Sequence, residues 1–259
     1  MLARLMSKLF VNGEMRLDKL EGIIFDKDGT LIDIHHYWGS IIKIRATLIA
    51  SKWLPKKESV ERELIEAMGV DFLSGKMKPT GPVGIKPRSF IVGVASEVVR
   101  SHGIIISNYD MESVFLEVDK QTSKDMSPFL RLLPGVVELL GNLEKCGVAV
   151  AIATTDLTDR ARLAMESLKI DHFFSEIVGG DLVENTKPSP DLALMIVDRL
   201  GVSSDRVVVV GDHPVDIGMG QAINAGLNIG VLTGLSHAVL FDNLGCLVIK
   251  DLKGIEVAC

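Results

Sequence analysis

Three regimes of hydrophobic patterning follow one another along the chain. A short apolar run, Ile23-Ile24-Phe25, leads directly into Asp26-Lys27-Asp28-Gly29-Thr30-Leu31, the order of a buried strand that delivers acids to a turn. From residue 33 to about 130, no run of this kind closes on a turn signal, and apolar positions recur at helical spacing. Ile41, Ile44, Leu48 and Ile49 share one face of a first helix, and Val60, Leu64 and Ala67 suit a second that Gly69 ends. Phe90 through Val99 supplies a third helix, and Val114, Phe115 and Val118 a fourth. Residues 74–88, between the second and third, are rich in Gly, Pro and positive charge and read as a loop.

From Pro134 the pattern alternates. Pro134 and Gly135 open a helix expected to turn Val137, Leu140 and Leu143 inward and to stop at Gly147; Val148 to Thr154 is then an almost wholly apolar strand. A helix from about Leu157 to Leu168 and a short strand at Ile177-Val178 follow. At Lys187-Pro188-Ser189-Pro190, Ser189 is expected to cap and Pro190 to start a helix ending at Gly201. Val207 to Val210 is a four-valine strand, trailed by a helix from roughly Val215 to Ala225 and strands near Ile229 to Leu232 and Leu247 to Ile249. Strands alternating with helices imply an α/β fold, a doubly wound parallel sheet with helices on both faces. The expected organisation is an α/β core over residues 20–32 and 131–259, an all-helical insert over 33–130 and a leader or short helix over 1–19.

Composition narrows the class. Hydrophobic residues make up 47% of the 259 and charged residues 24%, the balance of a globular protein. Mean hydropathy is +0.30, yet no stretch reaches the roughly 18 uninterrupted apolar residues of a membrane span. The net charge of −6 argues against a nucleic-acid partner, which usually meets a basic face. Cys146, Cys246 and Cys259 form no CxxC pair and are odd in number, so neither a disulfide framework nor a zinc site is expected, and a reducing cytoplasm fits. The first twenty residues carry Arg4, Lys8, Arg16 and Lys19 and lack the apolar core of a signal peptide.

In a parallel sheet, ligands sit beyond the carboxyl ends of the strands. Those ends carry Asp26 and Asp28, then Thr154-Thr155-Asp156, then Gly211-Asp212-His213-Pro214-Val215-Asp216. Asp26 and Asp28 alone fit a strand closed by an Asx-type turn equally well. Several carboxylates at one rim repel one another unless a cation intervenes, and a hard divalent ion such as magnesium suits oxygen ligands. Asp26 and Asp212 are the expected direct ligands, with Asp216 either ligating or holding a metal-bound water. Lys187 offers a compact positive charge for phosphate oxygens and Thr154 a neutral donor, the parts that phosphoryl transfer needs. Taken singly, Asp212 fits a helix cap, Lys187 a solvated loop lysine and Thr154 an ordinary strand-end hydroxyl. Lys27, between the acids, is expected to point away from both if strand alternation continues.

Together these residues resemble the haloacid dehalogenase-like superfamily of phosphohydrolases. Asp26-Lys27-Asp28-Gly29-Thr30 matches its DxDGT motif, Thr154 the second motif, Lys187 in Thr186-Lys187-Pro188 the third, and Gly211 to Asp216 the fourth, GDxxxD. The resemblance implies a Rossmann-like core with a helical cap of the first type, Asp26 as the nucleophile that becomes an aspartyl-phosphate, and Asp28 as the proton donor and later the base. It also implies magnesium held by Asp26, Asp212, Asp216 and the backbone carbonyl of Asp28, with Gly29, Thr30 and Thr155 at the substrate. His213 stands where the family commonly has a small or acidic residue, and reads as structural.

The expected activity is hydrolysis of a small phosphorylated metabolite, of the phosphoglycolate phosphatase kind. A β-phosphoglucomutase-like enzyme shares all four motifs; a receiver-like signalling module needs a similar acid cluster and lysine but no second acid; a catalytically dead scaffold is disfavoured because no expected residue is missing. Specificity is expected in the insert, whose closure excludes water. There Lys76, Lys78, Lys86 and Arg88 suit an anionic leaving group or a plain solvated loop, and His35-His36 suits hinge packing. The sequence does not fix an oligomeric state.

Overall fold

A computed structural model describes residues 7–55, 58–83 and 86–259. In chain order the elements are β1 (Ser7–Val11), β2 (Glu14–Leu20), β3 (Gly22–Phe25), α1 (Ile34–Trp53), α2 (Glu58–Ala67), α3 (Arg88–Ser101), α4 (Asn108–Thr122), α5 (Val136–Lys145), β4 (Ala149–Ala153), α6 (Thr158–Ser167), β5 (Glu176–Val178), α7 (Asp191–Leu200), β6 (Val207–Gly211), α8 (Pro214–Ala222), β7 (Leu227–Val231), β8 (Leu247–Ile249) and β9 (Ile255–Ala258). The chain divides into two compact units, residues 1–33 with 132–259 and residues 34–131.

The first unit is built on a six-stranded sheet of order β5-β4-β3-β6-β7-β8, parallel at every pairing. Both faces are buried, so β3 and β6 read as unbroken apolar runs. Alternation sorts these residues: Ile24, Ala151, Ala153, Val207 and Val209 turn to one face, against Leu192, Ala193 and Ile196 of α7 and Met219 of α8. The register sets Phe25 level with Ile152 on one side and Val210 on the other. The three central strands therefore end at one height, with β3 at the point where strand order reverses, the usual place for a ligand in such sheets.

A second, three-stranded sheet of order β2-β1-β9 belongs to the same unit. It corrects the expectation of a leader over residues 1–19. From Ser7 onward that segment is a hairpin, turning at Asn12-Gly13, both at positive φ. Its first strand pairs with the C-terminal β9. The cysteine reading is also corrected: Cys146, at the end of α5, is disulfide-bonded to Cys259, 113 residues later. Pairing of β1 with β9 carries the C-terminus back to α5, a proximity invisible in cysteine spacing. The cysteines consequently give no support to a reducing compartment.

The second unit consists of α1 to α4 and a 3-10 turn at Ser127–Phe129. Helix spacing gave the helices but not their faces in full. The buried stripe of α1 runs through Ile41, Ile42, Arg45, Ala46 and Ile49, with Ile44 and Leu48 half-buried at its edge. Arg45 is admitted to this interior by Asp119, 3.0 Å away, and by the Phe115 ring, 4.2 Å from its guanidinium. Two members of the basic loop are committed to acids, Lys78 to Glu66 and Arg88 to Glu112 and Asp119. His35 Nδ1 accepts from the Met77 amide and His36 Nε2 contacts the Pro128 carbonyl, so both histidines do packing work within this unit.

Two local expectations shift. Val137 faces outward, and α5 instead buries Val136, Leu139, Leu140 and Leu143. Helix α7 begins at Asp191 with Pro190 at its cap, and the Ser189 hydroxyl bonds the Asp191 carboxylate rather than a backbone amide. No helix among the described residues is long and apolar enough to cross a membrane.

A crosslink that closes a loop of this length restricts the unfolded chain by about 4–5 kcal/mol. Replacing Cys146 and Cys259 by alanine, or reducing the bond, is expected to lower the melting temperature by roughly 10 °C. Equal melting curves with and without reductant, under conditions where thiol titration shows the bond broken, would refute that role.

Candidate active site

Strand β3 stops at Phe25, and the chain turns at once. The Lys27 carbonyl accepts hydrogen bonds from the amides of both Leu31 and Ile32, and the Gly29 amide donates to the Ile32 carbonyl. Gly29 closes this turn at φ +96°, where a side chain would be strained. Strand alternation therefore ends before residue 27, and the expectation for Lys27 fails for that reason. Its side chain is fully buried and its ammonium lies 2.8 and 2.7 Å from the two oxygens of Asp28.

Asp26 is held on the other side. Lys187 Nζ donates to Asp26 Oδ1 and to Asp216 Oδ1, each at 2.7 Å. Asp216 is in turn the third residue of α8, where its Oδ2 accepts from the His213 amide while His213 Nδ1 accepts from Val215. This reciprocal cap explains His213: it starts the helix that aims Asp216. Asp212 does not cap α8. Its Oδ2 accepts from the Leu235 amide at 2.9 Å, in the loop after β7. A Cβ on Gly234 would fall 1.7 Å from that oxygen, and one on Gly211 2.3 Å from the Asp216 Cβ, so glycine is required at both points.

The loop after β7, which no sequence motif marks, also belongs to the site. Besides the Leu235 amide, it supplies the Thr233 hydroxyl, which donates to the Gly29 carbonyl at 2.6 Å. The strand-end rule that found the other turns applies equally to Leu232-Thr233-Gly234, and only the absence of an acid there hid it.

Thr154 is buried at the end of β4, and its oxygen accepts from the Asp156 amide at 3.1 Å, which leaves its proton to donate. Thr155 is exposed beside it. Gly29 and Thr30 are buried, and the Thr30 hydroxyl has no hydrogen-bond partner among the described residues; its side chain packs the turn.

Asp26, Asp212 and Asp216 each offer an oxygen within 4.8 Å of the others. At such separations, with an effective permittivity of about 20, like charges repel by about 4 kcal/mol. Burial holds Asp212 well above the ordinary carboxylate value of 3.8, and the charges of Asp26 and Asp216 add to this. Burial raises Asp26 too, against the opposing charge of Lys187. Burial alone would lower the Lys187 ammonium, but Asp216 and Asp26 outweigh it and keep it charged. Three carboxylates against one ammonium leave an excess of two negative charges, which fits a divalent cation with oxygen ligands.

A parallel α/β core that collects an acid triad and a lysine at its central strand ends defines a class of enzyme that works at such a rim. Its family is identified by comparison: a model described as haloacid dehalogenase-like hydrolase matches residues 20–224, and the chain belongs to that family. Phosphoglycolate phosphatase of Salmonella typhi is 33% identical over 125 residues, 45% of this chain and 50% of the relative. That of Escherichia coli K12 is 32% identical over 111 residues, 43% and 44% of the two chains. The chain thus spans about half the length of the curated relatives it matches. Among solved structures, a predicted phosphoglycolate phosphatase from Haemophilus somnus 129pt superposes with a TM-score of 0.69 at 19% identity, covering 90% of this chain and 95% of that one. A HAD hydrolase, family IA, variant 3, from Entamoeba histolytica gives 0.63 at 20% identity, covering 90% and 94%. These likenesses establish the fold.

The raised carboxylates bind more protons in the folded than in the unfolded state above pH 3.8. Metal-free stability is therefore expected to fall as pH rises from there toward neutrality. Asp212→Asn is expected to raise the melting temperature in chelator at pH 7 by a few degrees and to flatten its decline between pH 5 and 7. A variant that melts lower than the parent at pH 7 in chelator would show that Asp212 is not under electrostatic stress.

Proposed function

We propose that this protein is a magnesium-dependent phosphomonoesterase that hydrolyses a small phosphorylated metabolite, of the phosphoglycolate kind, through an aspartyl-phosphate on Asp26. The observation that carries this reading is the different holding of two acids two residues apart. Asp26 is tied by Lys187 to the acid triad, whereas Asp28 is tied by Lys27 outside it. Separate environments let one carboxylate attack while the other moves protons. The relatives named phosphoglycolate phosphatase support the substrate class.

Asp26, Asp212 and Asp216 would hold magnesium with the Asp28 carbonyl, and the bound ion offsets the charge of the acids and of the incoming phosphate. Lys187 fixes Asp26 Oδ1, so Oδ2 attacks phosphorus. As that bond forms, the bond from phosphorus to the leaving oxygen breaks, and the leaving oxygen takes the proton of Asp28. Water then attacks the same phosphorus and gives a proton to Asp28, the Asp26–phosphorus bond breaks, and both acids are restored. The Thr154 hydroxyl and the Lys187 charge face phosphoryl oxygens, with Thr155 exposed beside them and Gly29 and Thr30 shaping the floor.

Purified protein with magnesium, screened against phosphorylated metabolites that include phosphoglycolate, is expected to release free phosphate and to lose this activity in chelator. Asp26→Asn should reduce release to background and Asp28→Asn should slow it by about 100-fold or more, both with unchanged folds. Phosphate release retained by Asp26→Asn would sink the nucleophile assignment, and an isomerised sugar phosphate formed without phosphate release would replace the hydrolase with a mutase.

A further inference from the structure

We propose that Lys27 is a positioning residue: its ammonium, braced by Asp156, holds the Asp28 carboxylate in the orientation from which it serves the leaving oxygen and the attacking water. The inference rests on the phosphatase reading above and deepens it.

Four side chains take part in this second network. Lys27 Nζ bonds both oxygens of Asp28 and lies 3.2 Å from Asp156 Oδ2, which is 3.9 Å from Arg160 Nε. Two acids and two bases meet here, in contrast to the excess of negative charge around Asp26. Contact with both oxygens resists rotation of the Asp28 carboxylate about its last bond, which a single contact would allow.

Each end of the brace is itself anchored. The Lys27 backbone is fixed by the two amides that its carbonyl accepts. Asp156 is fixed at the end of β4, where its Oδ1 accepts from the Leu157 amide at 2.9 Å and its own amide donates to Thr154. Arg160 lies one helical turn further on, in α6, with only 8% of its side chain exposed. The network thus ties the turn after β3 to the turn after β4, and both turns border the proposed chemistry.

A structural role alone does not call for charge at this place. Apolar side chains of similar volume in place of a whole buried ion pair often cost no stability, whereas removing one partner leaves the other charge buried and unpaired. What the ammonium adds is a fixed partner for the carboxylate that remains after Asp28 has passed its proton to the leaving oxygen. That carboxylate then collects the proton of water, so its orientation matters in both steps, and a displacement of about 1 Å costs on the order of 100-fold in rate.

The test uses leaving groups that differ in their need for a proton. The kcat/KM of the parent, Lys27→Met and Lys27→Met/Asp156→Asn is measured with 2-phosphoglycolate, whose alkoxide must be protonated, and with p-nitrophenyl phosphate, whose phenolate leaves unaided. The double variant removes one charge of each sign and carries the test if the single variant does not fold. Both variants are expected to lose about 30-fold or more on 2-phosphoglycolate and less than about 3-fold on p-nitrophenyl phosphate, because kcat/KM covers only the steps up to departure of the leaving group. Equal losses on the two substrates, no loss, or recovery of the 2-phosphoglycolate rate in the double variant would each overturn the positioning role and leave the phosphatase reading standing. A parent protein inert on both substrates overturns both.

Discussion

Everything at the rim depends on one ammonium shared between two carboxylates. The parallel register ends β3, β4 and β6 at one height, which forces the acids after β3 and β6 into each other's company. Lys187 makes that tolerable by bonding Asp26 and Asp216 at once. The remaining acid, Asp212, is turned to a backbone amide of the loop after β7. Much of the local sequence follows from this arrangement. Gly211 and Gly234 let the carboxylates and their partners approach closely, and His213 caps α8 so that Asp216 meets the lysine. One cation does not balance three acids, and the surplus is what makes the cluster fit for a divalent ion.

The sheet, its rim and the acid–lysine cluster were legible because each rests on short-range rules. Apolar runs such as Val207 to Val210 mark central strands, and a strand end carrying polar residues marks the rim. What stayed hidden depends on contacts distant in sequence or on a local break in a rule. The disulfide needed β9 to return beside β1 before Cys259 could reach Cys146. The Leu235 amide became part of the site only through the fold of a loop that carries no acid. Lys27 escapes the alternation rule because it lies two residues past the strand end at Phe25, where the turn around Gly29 decides where side chains point. Val137 shows the same limit on a helix, where an apolar residue in a periodic run still faces solvent.

The two networks divide the work of the site by their charge. Around Asp26 the excess is negative, which suits a divalent cation. Around Asp28 two acidic and two basic side chains meet, so that half shows no comparable surplus. The two acids stand only two residues apart, so the separation cannot come from distance along the chain. It comes from the turn at Gly29, which ends the strand and gives Asp28 a different lysine from the one that holds Asp26.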